Sequence, residues 1–225
     1  MNTSQFWSKV NFQIYTLFLF LTSSFLIRHI SLTFTDGKLV YALDDPYIHL
    51  ALAEGIYEGE YGINPGEKAS PSSSIAYPYL LALGFHFTDH PENIPFWISL
   101  FAMAVALWLI AGFLWNRMNE SDLPFSFGFG LLAGPLLVLG LNAPTFPMIG
   151  MEHPLHIMAT VMALKGMHDL LSGDRSRLTL AVSWLGVVLA PFIRYEGIPL
   201  TVLILPHLAS LHVKAYSYIC ASPSL

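Results

Sequence analysis

Charge is what this sequence has least of. Of its 225 residues only 11% are charged and 54% are hydrophobic, whereas a soluble domain carries about 25% charged residues. That deficit excludes an ordinary water-soluble core and surface. The charges that exist cluster between long uncharged runs, the pattern of a chain whose solvent is lipid. Cysteine is scarcer still. Cys220 stands alone, which excludes an internal disulfide framework and a cysteine-based zinc site. The net charge of −5 argues against a nucleic-acid partner. No Gly-rich phosphate loop and no HExxH spacing occurs, and His49, His86, His153, His156 and His168 are scattered without ligand spacing. No metal site is therefore assigned. Asp44 and Asp45 could hold a divalent cation, since hard cations take carboxylate oxygens, but two ligands do not make a site.

What remains is a series of apolar runs. Residues 10–27 follow Lys9 and end at Arg28-His29; without a small-residue cleavage pattern after them, they read as an uncleaved first span rather than a signal peptide. Residues 30–73 differ in kind. They hold Asp36, Asp44, Asp45, Glu54, Glu58, Glu60 and Glu67 against two bases, Lys38 and Lys68, with a turn expected at Asn64-Pro65-Gly66. This is a long, structured, acidic loop outside the lipid. Residues 72–88 contain Pro78, serines and tyrosines, and their strongly apolar part is short of the ~20 residues that a span needs. They are expected to lie at the interface. Residues 94–115 and 123–141 are clear spans; 149–164, 178–193 and 197–211 complete a set of about six. The fold class is all-α: a multi-pass transmembrane bundle occupying 1–212, with interfacial helices in its first loop, followed by an irregular tail at 213–225.

Basic loops set the orientation. Lys165, Arg175 and Arg177 place their connection in the cytoplasm, as do Arg117 in its loop and Lys9 at the N-terminus. If 72–88 does not span, the acidic loop, the Glu152 turn and the Arg194–Glu196 turn all fall on the extracytoplasmic side of a cell membrane.

Chemistry concentrates in those three connections. Pro46 suits a first helical turn, which puts Asp45 at the N-cap, leaves Asp44 free to face a substrate, and runs a helix to about Tyr57 with Gly59 and Gly62 beyond it. The plainer alternative is a capping Asp with a solvated neighbour. His49, one turn past Asp45, can face the same site. Glu152 opens a helix, where simple capping at the positive end of the dipole would explain it. Arg194 and Glu196 between two apolar runs are either a solvated hairpin or a cation placed for a phosphate with a carboxylate to orient it.

Taken in order, Asp44-Asp45-Pro46-Tyr47-Ile48, Asn64-Pro65-Gly66-Glu67 with a Ser/Pro stretch after it, Gly150-Met151-Glu152-His153-Pro154-Leu155 and Arg194-Tyr195-Glu196-Gly197 resemble the membrane glycosyltransferases of the GT-C fold. The likeness is nearest to the branch similar to mycobacterial terminal arabinofuranosyltransferases and more distant to the protein O-mannosyltransferases and lipid A aminoarabinose transferases. It covers roughly residues 41–200. The resemblance implies an inverting transfer from a polyprenyl-phosphate-linked sugar donor to a glycan, lipid or protein hydroxyl. Asp44 is then the catalytic acid-base residue and Asp45 its neighbour, with Glu152, Arg194 and Glu196 lining the substrate site; His49, by its place one turn past Asp45, is counted with the substrate-binding residues. His153 departs from the small hydroxyl residue expected there, and Tyr195 from proline. Family members carry more spans and often a soluble C-terminal domain, so a truncated or frame-disrupted product is expected. Two other classes stay open: a transporter or channel subunit, which would place ionisable or helix-breaking features mid-span, and a non-catalytic membrane scaffold that keeps the fold.

Overall fold

The computed structural model describes residues 8–64, 66, 72–120, 127–174 and 176–221, with backbone alone for 127 and 211–221. The described residues form helices, turns and irregular connections and no strand. In chain order the helices are α1 (Lys9–Phe34), α2 (Asp45–Glu58), α3 (Tyr77–Phe85), α4 (Ile94–Asn119), α5 (Phe127–Gly140), α6 (Phe146–Ile149), α7 (His153–Leu171), α8 (Arg177–Ile193) and α9 (Gly197–Ala221). Two are long and apolar enough to cross a membrane: α1, and α4 with the 3-10 turn that leads into it. The pair α5 and α6 makes a third if taken as one span bent by 47°. The apolar helix α8 and the described apolar part of α9, Gly197–Ser210, are shorter.

The long elements pack antiparallel in succession. Gln13 Nε2 on α1 donates to the Trp108 carbonyl on α4 at 2.8 Å, while Arg28, about four turns further along α1, reaches Asn93 at the start of α4. The helices α7 and α8 meet through small residues. A Cβ on Gly186 would stand 2.4 Å from the Ala163 nitrogen, and one on Gly166 would stand 2.4 Å from Ser183 Oγ. Such close backbone approach is how helices associate where lipid removes the hydrophobic drive between them. At the next turn α9 folds back on α8: the Thr201 hydroxyl donates to the Val187 carbonyl at 2.8 Å, and a Cβ on Gly197 would lie 2.2 Å from Ala190. In contrast, α4 and α7 run parallel. Ser99 near the start of α4 donates to the Met151 carbonyl just before α7, and Phe113 near its end meets the His168 ring edge-on at 5.0 Å.

The consequence is that the end of α1, the starts of α4, α7 and α9 and the end of α8 gather at one end of the bundle. The described residues of segment 35–93 cover that end, pinned by Ala42 N–H to the Met148 carbonyl (3.1 Å) and Ala76 N–H to the Phe192 carbonyl (2.9 Å). Tyr41 and Tyr77 serve as struts. The Tyr77 hydroxyl donates to the Gly150 carbonyl at 2.9 Å, and Tyr41 accepts from Phe96 N–H at 3.1 Å. Burial raises the hydroxyl pKa of both tyrosines, so they stay neutral.

Several expectations are corrected. The first helix does not stop at Ile27; it continues through Arg28 and His29 to Phe34, because Arg28 rests over the Phe96 ring at 5.3 Å and no glycine or proline intervenes before Gly37. The residue capping α2 by position is Asp44, not Asp45, which lies in the first turn, and no side chain caps the helix. Asp44 has helical dihedrals (φ −83°, ψ −29°) rather than the extended ones that aim a capping carboxylate at the first N–H groups. At its other end α2 reaches Glu58 and stops at Gly59, whose φ of 93° suits glycine. Within 72–88 the structure has the nine-residue α3, about 14 Å long and too short to cross a bilayer. The last helix runs on to Ala221 instead of giving way to irregular chain at 213. No Gly or Pro lies between His207 and Ser222 to interrupt it, and 222–225 lie outside the described residues. So do Pro65, Glu67, Lys68, 121–126 and Arg175, parts of the expected turn, acidic loop, fourth apolar run and basic connection.

Candidate functional site

The site is built around a buried carboxylate. Glu152, fully inaccessible to solvent, sits in the sharp turn between α6 and α7. Gly150 makes that turn: its φ is +71°, and a Cβ there would stand 2.5 Å from the Tyr41 ring. The reversal points Glu152 into the bundle end, and its carboxylate does not cap α7. Its Oε1 accepts from Arg194 Nη1 at 2.6 Å and from the Ser73 hydroxyl at 2.9 Å. Its Oε2 faces His49 Nε2 at 3.4 Å. Three connections far apart in sequence therefore converge on one side chain.

Each partner is held in turn. His49 is 3% exposed because it lies on the inward face of α2, with its ring edge-on to Tyr77 at 5.2 Å and its Nδ1 3.3 Å from Ser72 Oγ. Ser72 is fixed by its own loop: its hydroxyl donates to the Ser74 carbonyl at 2.7 Å and accepts from Ser74 N–H at 3.0 Å. Arg194 stands where α8 ends in extended backbone (φ −149°, ψ 145°), which turns the guanidinium back over the bundle end. Glu196 takes it in a fork, from Nε at 3.2 Å and Nη2 at 2.7 Å. Nη1 also lies 3.2 Å from His153 Nε2.

The electrostatics follow. Burial pushes the Glu152 pKa up, but hydrogen bonds from His49, its own backbone N–H and Ser73 outweigh burial and hold it at about 2. Glu152 is thus an anion and a poor proton acceptor near neutrality. Burial, with the Arg194 cation second, lowers the His153 pKa, so that ring stays neutral beside the guanidinium. The Arg194 pKa is raised, chiefly by Glu196. Arg194 thus lies between two unequal carboxylates: Glu152 is enclosed, whereas the Glu196 side chain is 61% exposed. The first is closed off from solvent and the second is open to it.

Of the expected site residues, the structure brings His49, Glu152, Arg194 and Glu196 into one connected network. It does not join Asp44 and Asp45 to it. Both are exposed at the start of α2, and neither carboxylate has a hydrogen-bond or ion-pair partner among the described residues. Asp45 is four residues before His49, on the same side of the helix. Sequence reasoning missed Ser72, Ser73 and Tyr77, and treated His153 only as a departure; its contact with Arg194 gives it a place in the network. Among the described residues no group of three or more His, Cys, Asp or Glu side chains is placed to hold a metal ion. No protein-family model, curated protein or solved structure matches this chain.

Proposed function

We propose that the chain forms the catalytic end of a membrane glycosyltransferase, transferring a sugar from a polyprenyl-phosphate donor to an extracytoplasmic hydroxyl with inversion, on a bundle of about six membrane passes. One observation carries this reading: a guanidinium paired with a buried glutamate at the end of an apolar helical bundle, with a second, exposed carboxylate on its open side. A lipid-linked phosphate approaching from the bilayer displaces Glu196 and takes its place in the Arg194 fork. Arg–phosphate pairing is bidentate and charge-assisted, and it stabilises the phosphate charge that develops as the glycosidic bond breaks.

The base must be another group, since Glu152 does not accept a proton near neutral pH. Asp44, exposed and without a partner among the described residues, is free to take the proton of an acceptor hydroxyl. In a single displacement that hydroxyl oxygen bonds to the anomeric carbon as the phosphate leaves with the bonding electrons, so one step inverts the centre. The ionisable groups of this site sit at helix ends rather than mid-span, which favours an enzyme over a transporter. The helix-internal prolines Pro135, Pro191 and Pro206 are the feature that a transporter reading would use.

The reading is tested by transfer from radiolabelled polyprenyl-phosphate sugars in membranes containing the protein. Glu196→Gln is expected to change KM while leaving kcat within a few fold, and Arg194→Lys to lower kcat by at least about a hundredfold, the scale of losing a charge-stabilising donor. Equal effects of the two variants would contradict the displacement of Glu196 by the phosphate.

A further inference from the structure

A second cationic site lies apart from the Glu152 network. The connection between α1 and α2 and the turn before α4 enclose a cavity of about 620 Å³ lined by, among others, Arg28, Lys38, His90 and Glu92, within the ~300–1,000 Å³ typical of small-ligand sites. Two of its cations have unmet hydrogen-bonding capacity. The Arg28 Nε–H is shut off from solvent and has no partner. Among the described residues the only side-chain hydrogen bond of Arg28 is a long one, 3.4 Å from Nη2 to Asn93 Oδ1. The guanidinium face lies over Phe96 at 5.3 Å, so a ligand in the cavity meets Arg28 at its Nη groups. The Lys38 ammonium has no partner among the described residues. The acid in the cavity wall, Glu92, is engaged by His90 Nδ1 at 3.3 Å, so two cations face the cavity against one carboxylate that already has a neighbour. A buried, unsatisfied charged donor is costly unless something fills it.

The cavity wall also has apolar character, from Leu32, Leu39 and Val40. Cations with adjacent apolar surface at the end of a membrane-length helix suit an anion that carries an acyl tail.

We infer that this cavity is a binding site for a phosphate group, supplied by an anionic lipid headgroup, separate from the Arg194 site. The phosphate oxygens accept from Arg28 and Lys38, and the tail lies against Leu32, Leu39 and Val40. This goes beyond the transferase reading and does not depend on it, because the readout is binding alone.

The test uses the full chain purified in detergent, with binding followed by native mass spectrometry against dioleoyl phosphatidic acid, dioleoylglycerol (the same tails without phosphate) and inorganic phosphate. Phosphatidic acid is expected to bind, dioleoylglycerol not, and Lys38→Gln to weaken phosphatidic acid about tenfold, the scale of one charge-assisted hydrogen bond. Arg28→Gln should weaken it further. Lys38 is exposed, so its variant tests the site even if Arg28→Gln fails to fold. The control Lys165→Gln, on a helix outside the cavity wall, should leave binding unchanged. Inorganic phosphate competing at millimolar concentration would support the phosphate site while assigning the free ion as its source. Equal binding of dioleoylglycerol, or undiminished binding of phosphatidic acid by Lys38→Gln, would overturn the proposal.

Discussion

Glu152 makes the sharpest predictions at the scale of single residues. Replacing it with Gln keeps the shape but leaves Arg194 with one anionic partner, and breaking a buried pair in this way costs about 3 kcal/mol; thermal unfolding in detergent should show a clear loss. Its pKa, held at about 2 against 4.5 for a free carboxyl, fixes the sign of the pH dependence. The folded protein binds the proton less tightly than the unfolded chain, so the stabilisation is complete above about pH 4.5 and fades as pH falls towards about 2. Glu152→Gln should remove that acid-limb loss, and a stability profile between pH 2 and 6 that is unchanged by the substitution would contradict the assignment. His153 adds a milder slope with the same sign, since its lowered pKa means that protonation sets a second cation against Arg194.

The elements explain what was legible and what was not. The identity of the long helices was readable, since runs such as 94–115 have no other stable state in lipid. The acids and the arginine of the network were readable as residue types, because ionisable groups stand out in a chain with so few. Their partners were not. Ser73 is one of many serines until the 72–76 loop is pinned to α8 through Ala76 and Phe192, and the contact that joins it to Glu152 spans 79 residues of sequence. The cap of α2 was misassigned because Pro46 tolerates both of the first helical positions. Arg28 looked like the end of a span because nothing local shows that Phe96 lies beneath it. Two glycines carry an element-scale prediction. Gly150→Ala places a side chain at φ +71°, against the Tyr41 ring, and should destabilise by at least about 1–2 kcal/mol. Gly186→Ala directs a methyl at the α7 backbone and should cost about 1–3 kcal/mol by forcing α7 and α8 apart. Both are checked by thermal unfolding, and a neutral result at Gly186 would mean that the two helices are free to separate.

For the whole molecule, the gathering of segment 35–93, the Glu152 turn and the Arg194 turn at one end makes a claim about sides. In a Cys220→Ser background, Asp89→Cys and Tyr195→Cys should react with an impermeant maleimide from outside intact cells, and Ser172→Cys only after permeabilisation. Labelling of residues 89 and 172 from the same side would contradict a bundle that crosses the membrane with its site on the outer face.

The most direct test of the central claim is sugar transfer itself, in membranes, from a panel of labelled polyprenyl-phosphate sugars, with wild type beside Asp44→Asn and Arg194→Lys. Transfer by the wild type that both substitutions abolish, with insertion unchanged, is the predicted result. No transfer from any donor by a correctly inserted wild-type protein would contradict it.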